Sequence, residues 1–225
     1  MLVFVLTGAG CVKSSPGVTV TPVCYVSVMN EAPYGTATDI YFNGTQVSAN
    51  GGIPPETFSA QYGSVKPGTY TVDFKKTGTD SLLYDLPAVS YDTSNFYTLI
   101  FYNTAPKSPA VSAARILDDF SSVTATNAYY RFFNLSPDMP SVNLYLNGSI
   151  AQINRTPADN IANLTYDEFT PVNPTVYSIQ AKDVNTDSVL ASLNSTPFAA
   201  GSVYTIILEG TSAGGVTLTV LPAQY

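Results

Sequence analysis

The chain has 225 residues, of which 45% are hydrophobic and 11% charged, so it carries enough apolar material for a packed core and does not fit a disordered segment. Sixteen acidic against nine basic residues give a formal charge of −7, which argues against a nucleic-acid partner because the phosphate backbone would be repelled. There is no histidine, and the two cysteines are Cys11 and Cys24. This set is too small for the usual Cys/His zinc sites, and the sequence predicts neither a metal site nor a cofactor.

The N-terminus reads MLVFVLTGAGC and resembles the end of a bacterial lipoprotein signal. An apolar run at residues 2–6 precedes small residues and Cys11. Ala9, Gly10 and Cys11 match the lipobox, whereas Gly8 stands where leucine is usual. We therefore predict lipidation at Cys11, with residues 1–22 forming a partial signal and a flexible tether.

Two alternatives to this reading of the N-terminus remain open. One is a frayed tail with a chance cysteine, and the other is a disulfide between Cys11 and Cys24. If Cys11 is lipidated, Cys24 is expected to be a buried, inert thiol at the start of a strand.

The remainder of the chain repeats itself, first at an offset of 104 residues and then at 107. The matched positions are Asn30 with Asn134, Pro33 with Pro137, Tyr41 with Tyr145, Val65 with Val172, Pro67 with Pro174, and Tyr70 with Tyr177. Ordered matches with one small insertion indicate duplication, and a period near 100 residues is too long for a solenoid. The sequence therefore predicts two tandem domains, at residues 23–122 and 123–225.

Each copy is predicted to consist of strands. The stretches DIYFNGTQV and NLYLNGSIA place Asn-Gly between short alternating runs, which is typical of a tight hairpin. Residues 68–74 and 175–181 alternate with period two, whereas residues 96–102 and 203–210 are richer in apolar residues, as central strands are. Residues 25–30, 129–134, 111–117 and 216–221 complete seven or eight strands in each copy. The predicted fold class is all-β, with two tandem Ig-like or transthyretin-like antiparallel β-sandwiches.

The pattern V-x-P-x-x-Y recurs at Val65 and Val172. Its tyrosines, Tyr70 and Tyr177, follow a turn that enters a core strand. We interpret them as tyrosine corners, in which the hydroxyl returns to the backbone, rather than as ligand contacts.

The stretch FFNLSPDMPSVNLYLNG resembles a motif of the bacterial domain-of-unknown-function family 4397. The matching residues are Ser136, Pro137, Asp138, Pro140, Val142, Tyr145 and Gly148. The first copy keeps Ala32 and Pro33 but has lost the Ser-Pro-Asp element. The resemblance implies β-sandwich lipoproteins of the bacterial envelope, common in Bacteroidota, with no agreed activity. From its residues the loop is predicted to be a rigid turn, and the alternative is a ligand loop formed by Ser136, Pro137 and Asp138.

Catalytic chemistry finds little support, and we predict that the protein is not an enzyme. Without histidine there is no Ser-His-Asp or Cys-His arrangement. The paired carboxylates Asp118–Asp119 and Asp167–Glu168 are adjacent in sequence, so on a strand they would face opposite ways.

Two short polar motifs lie near the predicted hairpins. Asp183, Asn185 and Asp187 match the opening of a calcium loop, but Ser188 stands where glycine is required, so a polar hairpin turn is the better interpretation. Ser81 and Ser188 each follow aspartate and precede an apolar residue, and they are candidate sites of O-glycosylation.

The sequence as a whole predicts a non-catalytic lipoprotein of the cell envelope that acts as a binding or structural module. Its expected partners are the outer membrane, through the lipid anchor, and an envelope protein or glycan. No acidic residue occurs at positions 12–15, which favours the periplasmic leaflet over the cell surface. The alternative function is a carbohydrate-binding protein associated with a glycan-uptake system.

Overall fold

The computed structural model describes residues 21–59 and 61–225, in which strands alternate with short turns. Nine strands form the first repeat: β1 Cys24–Glu31, β2 Thr38–Phe42, β3 Thr45–Gln46, β4 Thr57–Phe58, β5 Gly63–Val65, β6 Gly68–Lys76, β7 Leu82–Tyr91, β8 Phe96–Asn103 and β9 Val111–Asp118.

Eight strands form the second repeat: β10 Ala128–Asn134, β11 Val142–Leu146, β12 Ser149–Arg155, β13 Thr170–Val172, β14 Val176–Asp183, β15 Val189–Pro197, β16 Val203–Thr211 and β17 Gly215–Pro222. A short α-helix, Asp159–Ala162, and a 3₁₀ helix, Leu164–Asp167, lie between β12 and β13. Among the described residues, no helix has the length and apolar character needed to cross a membrane.

Each repeat is a two-sheet sandwich, as the sequence predicts. We call the sheets inner and outer. The inner sheets have the strand orders β4-β1-β8-β9, with β5 also on β1, and β13-β10-β16-β17; the outer sheets are β3-β2-β6-β7 and β12-β11-β14-β15. The sheets are largely antiparallel, as predicted, and two pairings depart from this arrangement: β1 pairs with β8, and β10 with β16, in parallel. Between β1 and β8, and likewise between β10 and β16, the chain forms the outer sheet of the repeat. It then returns to the inner sheet and runs beside β1 or β10 in the same direction.

The sheets are stacked in four layers, in the order outer, inner, inner, outer. One buried cluster fills the first sandwich and another fills the second. A third cluster joins the inner sheets and includes Met29 and Ile100 from the first repeat and Phe133 and Ile207 from the second. The inner strands are therefore buried on both faces, which is why β10 is buried at every residue and why β8 and β16 are rich in apolar residues.

The predicted Asn-Gly hairpins are confirmed in both repeats. Asn43 and Gly44 have φ of 47° and 77°, and Asn147 and Gly148 have φ of 50° and 76°. Positive φ at both central residues gives a two-residue turn whose twist matches that of the strands it joins.

Both predicted tyrosine corners are also present. The hydroxyl of Tyr70 donates to the carbonyl of Lys66 at 2.9 Å, and that of Tyr177 donates to the carbonyl of Asn173 at 2.8 Å. The two side chains thus fasten the start of β6 and β14 to the preceding turn.

Candidate binding site

The Ser-Pro-Asp loop joins β10 to β11, and its side chains are used within the fold. Ser136 is buried, and its hydroxyl donates to the carbonyl of Gly210 at 2.7 Å. Asp138 accepts hydrogen bonds from the hydroxyl of Ser212 at 2.6 Å and from the hydroxyl of Tyr34 at 2.9 Å. Although partial burial acts in the other direction, the bonds from Ser212 and Tyr34 hold the pKa of Asp138 below its ordinary value.

Tyr34 precedes Asp138 by 104 residues, so equivalent positions of the two repeats contact each other. Pro137, between Ser136 and Asp138, is buried as well. The loop therefore connects the repeats, and its role as a ligand loop stays a prediction.

The other predicted site residues are separate from this loop. Ser81 and Ser188 are exposed at the ends of the β6–β7 and β14–β15 hairpins, and Cys11 lies outside the described residues. Cys24 is buried at the first position of β1 and has no disulfide partner among the described residues. Burial raises its pKa, which agrees with the expected inert thiol.

The Asp183 turn is a polar hairpin, as predicted. The side chain of Asp183 accepts from the amides of Asn185 and Thr186 at 2.7 and 3.0 Å. Within residues 21–59 and 61–225, no group of three or more acidic or cysteine side chains is placed to hold a metal ion.

Sequence reasoning missed a buried ion pair between the repeats. Arg131 in β10 contacts Asp118 at the end of β9 at 2.6 Å, and both side chains are at most 1% exposed. Asp118 also accepts from Thr98 at 2.6 Å and from Tyr62 at 2.8 Å. The sequence does carry a signal for this pair, namely one arginine within the aromatic run YYRFFN. Such a run is expected to be buried, and a buried cation requires an anionic partner.

The first repeat contains an apolar cavity of about 550 Å³ at one edge of the sandwich, between its inner and outer sheets. Its floor is formed by core residues of the first strands, Val26 and Val28 on β1 and Ile40 and Phe42 on β2. Its rim is formed by the segments that flank β3 and β5: Val47, Ser48, Ala49, Gly52, Ile53, Ser59, Gln61, Gly63, Ser64 and Val65.

The cavity is open because β3 is only two residues long. Just after β3, the hydroxyl of Ser48 accepts from the amide of Ile40 at 3.1 Å. A side chain thus makes the contact that a backbone carbonyl would make if the strand were longer. In the second repeat the equivalent strand, β12, has seven residues and pairs with β11 as far as Val142. The same edge is therefore covered by a continuous strand in the second repeat, whereas in the first it is met by an irregular segment that bonds to it at Ile40 and at the Thr38–Ile53 bridge.

The two repeats also differ in the side chains behind this edge. At the offset of 104, Val26 and Val28 of the first repeat correspond to Tyr130 and Phe132 of the second. Both rings are buried in the second core, and the hydroxyl of Tyr130 donates to the carbonyl of Ala151 in β12 at 3.4 Å. Aromatic rings thus occupy, in the second repeat, space that smaller valines leave empty in the first.

The lining of the cavity determines what it can do. Among the described residues that line it there is no charged side chain, and the one aromatic ring belongs to Phe42, which is buried. Its hydroxyls from Ser48 and Ser59 already bond to the backbone amides of Ile40 and Val28. The cavity offers apolar contact to an uncharged ligand, and it presents no acid, base or activated nucleophile.

Comparison with known proteins identifies a family. The family model described as "Domain of unknown function (DUF4397)" matches residues 24–145, which is more than half of the chain. No curated protein matches the chain.

Several solved structures match the chain. One of them is the carbohydrate-binding module CBMbc (family CBM26) of Eubacterium rectale Amy13K in complex with maltoheptaose, with 11% identity over 88% of this chain and 95% of that chain. Its TM-score is 0.25, so this likeness carries no argument about the function of the present chain.

Proposed function

The chain belongs to the DUF4397 family, and from this premise we propose that it is a non-catalytic binding module of the bacterial cell envelope. The ligand is an uncharged, largely aliphatic small molecule that occupies the edge cavity of the first repeat. The second repeat, whose equivalent edge is covered by β12, serves as a rigid partner domain.

The observation that carries this proposal is the difference between two copies of one fold. A volume of about 550 Å³ lies within the range of small-molecule sites. A cavity left unfilled beside apolar core residues costs stability, which the second repeat retains by using larger side chains. The retained opening in the first repeat is best explained by a ligand that fills the cavity and contacts the partly exposed Val47, Ile53 and Val65.

The location is proposed from the N-terminal sequence. Cys11 carries the lipid anchor and residues 12–22 form the tether, which places the module at the outer membrane, on the periplasmic side. Labelling cells with a fatty-acid probe tests this: the wild-type protein should carry the label and Cys11→Ala should not. Label on Cys11→Ala would contradict the anchor without affecting the binding proposal.

The binding site is tested with Nile red, a neutral apolar dye, on the full chain. Wild-type protein should enhance its fluorescence, whereas the double variant Val26→Tyr, Val28→Phe should not, because it copies the filled second repeat. Val176→Tyr is the matched control, since Val176 is 52% exposed in the second repeat. Equal enhancement by the wild type and the double variant would contradict the assignment of the cavity.

Carbohydrate binding is the competing outcome of the same experiment. Soluble polysaccharides should neither displace the dye nor shift the thermal unfolding midpoint, because the cavity presents no exposed aromatic ring for stacking on a sugar. A polysaccharide that stabilises the wild type and the double variant equally would place glycan binding elsewhere on the protein.

A further inference from the structure

Two carboxyl groups face each other where the repeats meet. Glu31 is the last residue of β1 in the first repeat, and Glu209 lies in β16 of the second. They are 1% and 9% exposed, respectively. Tyr102, the strand partner of Glu31, belongs to the same buried cluster as Ile207, which lies two residues before Glu209. The proposed binding function does not involve either residue.

Neither carboxyl group of this pair has hydrogen-bond donors for both of its oxygens among the described residues. Both carboxyl oxygens of Glu31, and Oε2 of Glu209, lack a hydrogen-bond donor among the described residues. The other oxygen of Glu209 accepts from the hydroxyls of Thr217 and Thr219 on β17. A buried carboxylate without donors or a counterion is strongly disfavoured, so the pair requires neutralisation.

The described part of the chain places no neutralising cation at Glu31. Tyr102 on β8 is the strand partner of Glu31, and Glu56 lies in the segment before β4. The charged groups that act on Glu31 are Glu209 and Glu56, both acidic. Burial, followed by the charge of Glu209, raises the pKa of Glu31 well above its ordinary value, and the same two causes raise the pKa of Glu56.

A proton is the neutralising species that fits this site. Calcium takes six to eight oxygen ligands at about 2.3–2.6 Å, whereas the pair has only three carboxyl oxygens that lack a hydrogen-bond donor among the described residues. A proton requires only two oxygens: a protonated Glu31 becomes a donor, and Glu209 accepts from it. We propose that Glu31 and Glu209 share one proton that holds the two repeats together, and that losing this proton in alkaline solution loosens their interface.

The direction of the pH dependence follows from linkage. A carboxyl group whose pKa is higher in the folded than in the unfolded chain binds its proton more tightly when folded. Its contribution to stability is complete below the unfolded value, near 4.5 for Glu31, and is lost as pH rises through the raised pKa. The wild-type interface should therefore be strongest in mildly acidic solution and weaken continuously towards alkaline pH.

The test compares the full-length wild type with Glu31→Gln at pH 5, 7 and 9. Glutamine keeps the shape of the side chain and donates to Glu209 at every pH. Urea unfolding gives the equilibrium constant for unfolding at each pH. Between pH 5 and pH 9 this constant should rise by a factor at least ten times larger in the wild type than in the variant. Small-angle scattering should show an increase in radius of gyration at pH 9 in the wild type only.

Two further variants complete the experiment. Glu209→Gln removes the repulsion between the two carboxyl groups by changing the second repeat, and it should behave like Glu31→Gln. If Glu31→Gln does not fold, the same pH profile is measured on Glu209→Gln. Glu168→Gln is the matched control at an exposed position and should keep the wild-type pH profile. Parallel pH profiles for the wild type and both pair variants would overturn the proposal. Restoration of the wild type by calcium at pH 9 would overturn it too, because the bridging species would then be a cation.

Discussion

Replacing Arg131 by methionine should destabilise the protein by about 3–5 kcal/mol, because the substitution leaves the carboxylate of Asp118 buried without its cation. Arg131 lies 2.6 Å from Asp118, and its Nε donates to the hydroxyl of Thr205 at 2.9 Å. Its guanidinium also lies 4.5 Å from the ring centre of Phe169. The ion pair is screened from water, so its loss cannot be offset by hydration.

The chain offers an internal control for this prediction. Lys182 and Asp187 form an ion pair of 3.5 Å in which the side chains are 19% and 69% exposed. Exposed pairs contribute about 0.2–1 kcal/mol, so Lys182→Met should cost less than 1 kcal/mol. The two variants delete the same kind of charge in different surroundings.

Urea unfolding at pH 7 provides the free energies, and a double-mutant cycle with Asp118→Asn isolates the interaction of the pair. In a chain of this length, a loss of about 3–5 kcal/mol corresponds to a fall of roughly 6–20 °C in the thermal midpoint. The double variant Arg131→Met, Asp118→Asn should be more stable than Arg131→Met alone. If Arg131→Met costs no more than Lys182→Met, burial does not govern the strength of this interaction and our reasoning is wrong.

Three further predictions concern substitutions of single residues. Tyr70→Phe should cost about 1 kcal/mol in urea unfolding, because the phenol loses its bond to the Lys66 carbonyl; an unchanged midpoint would show that the tyrosine corner contributes only packing. Burial raises the pKa of Asp167 to about 6, so above pH 6 the folded protein holds a partly buried carboxylate. After allowance for its partial exposure, Asp167→Asn should stabilise the protein by about 1 kcal/mol above pH 6 and should have no effect at pH 4. Identical pH profiles of stability for this variant and the wild type would contradict the raised pKa of Asp167. Gly210→Ala should reduce soluble expression sharply, since its φ is +96° and an added Cβ would collide with the carbonyl of Gly215, whereas Gly78→Ala, at φ +72° in open space, should be milder. Equal effects at the two glycines would show that the collision is relieved by movement of the strand.

The sequence was a good guide wherever structure depends on neighbouring residues. Asn43-Gly44 and Asn147-Gly148 select their hairpins through backbone conformations that few other residues adopt. Alternating apolar residues define the strand faces, and the recurring tyrosines indicate their own corners. Each of these signals acts within a few residues, so it survives in a single sequence.

Other features depend on residues that are distant in the chain. The strands β7 and β15 were missed because their exposed positions obscure the alternation. The parallel pairing of β1 with β8 follows from the route of the chain through the other sheet. The edge cavity exists because β3 ends early and because Val26 lies behind it, two facts that become related only when the sheets are stacked.

The sequence by itself determined that this protein is a mostly β duplication without histidine, and it located the turns, because composition and local backbone preferences are properties of consecutive residues. Only the tertiary structure decided that the duplicated units share an interface in which Arg131 meets Asp118 and Glu31 meets Glu209. The physical reason is that the energy of a buried charge is set by what surrounds it in space, and those surroundings come from strands far apart in the chain.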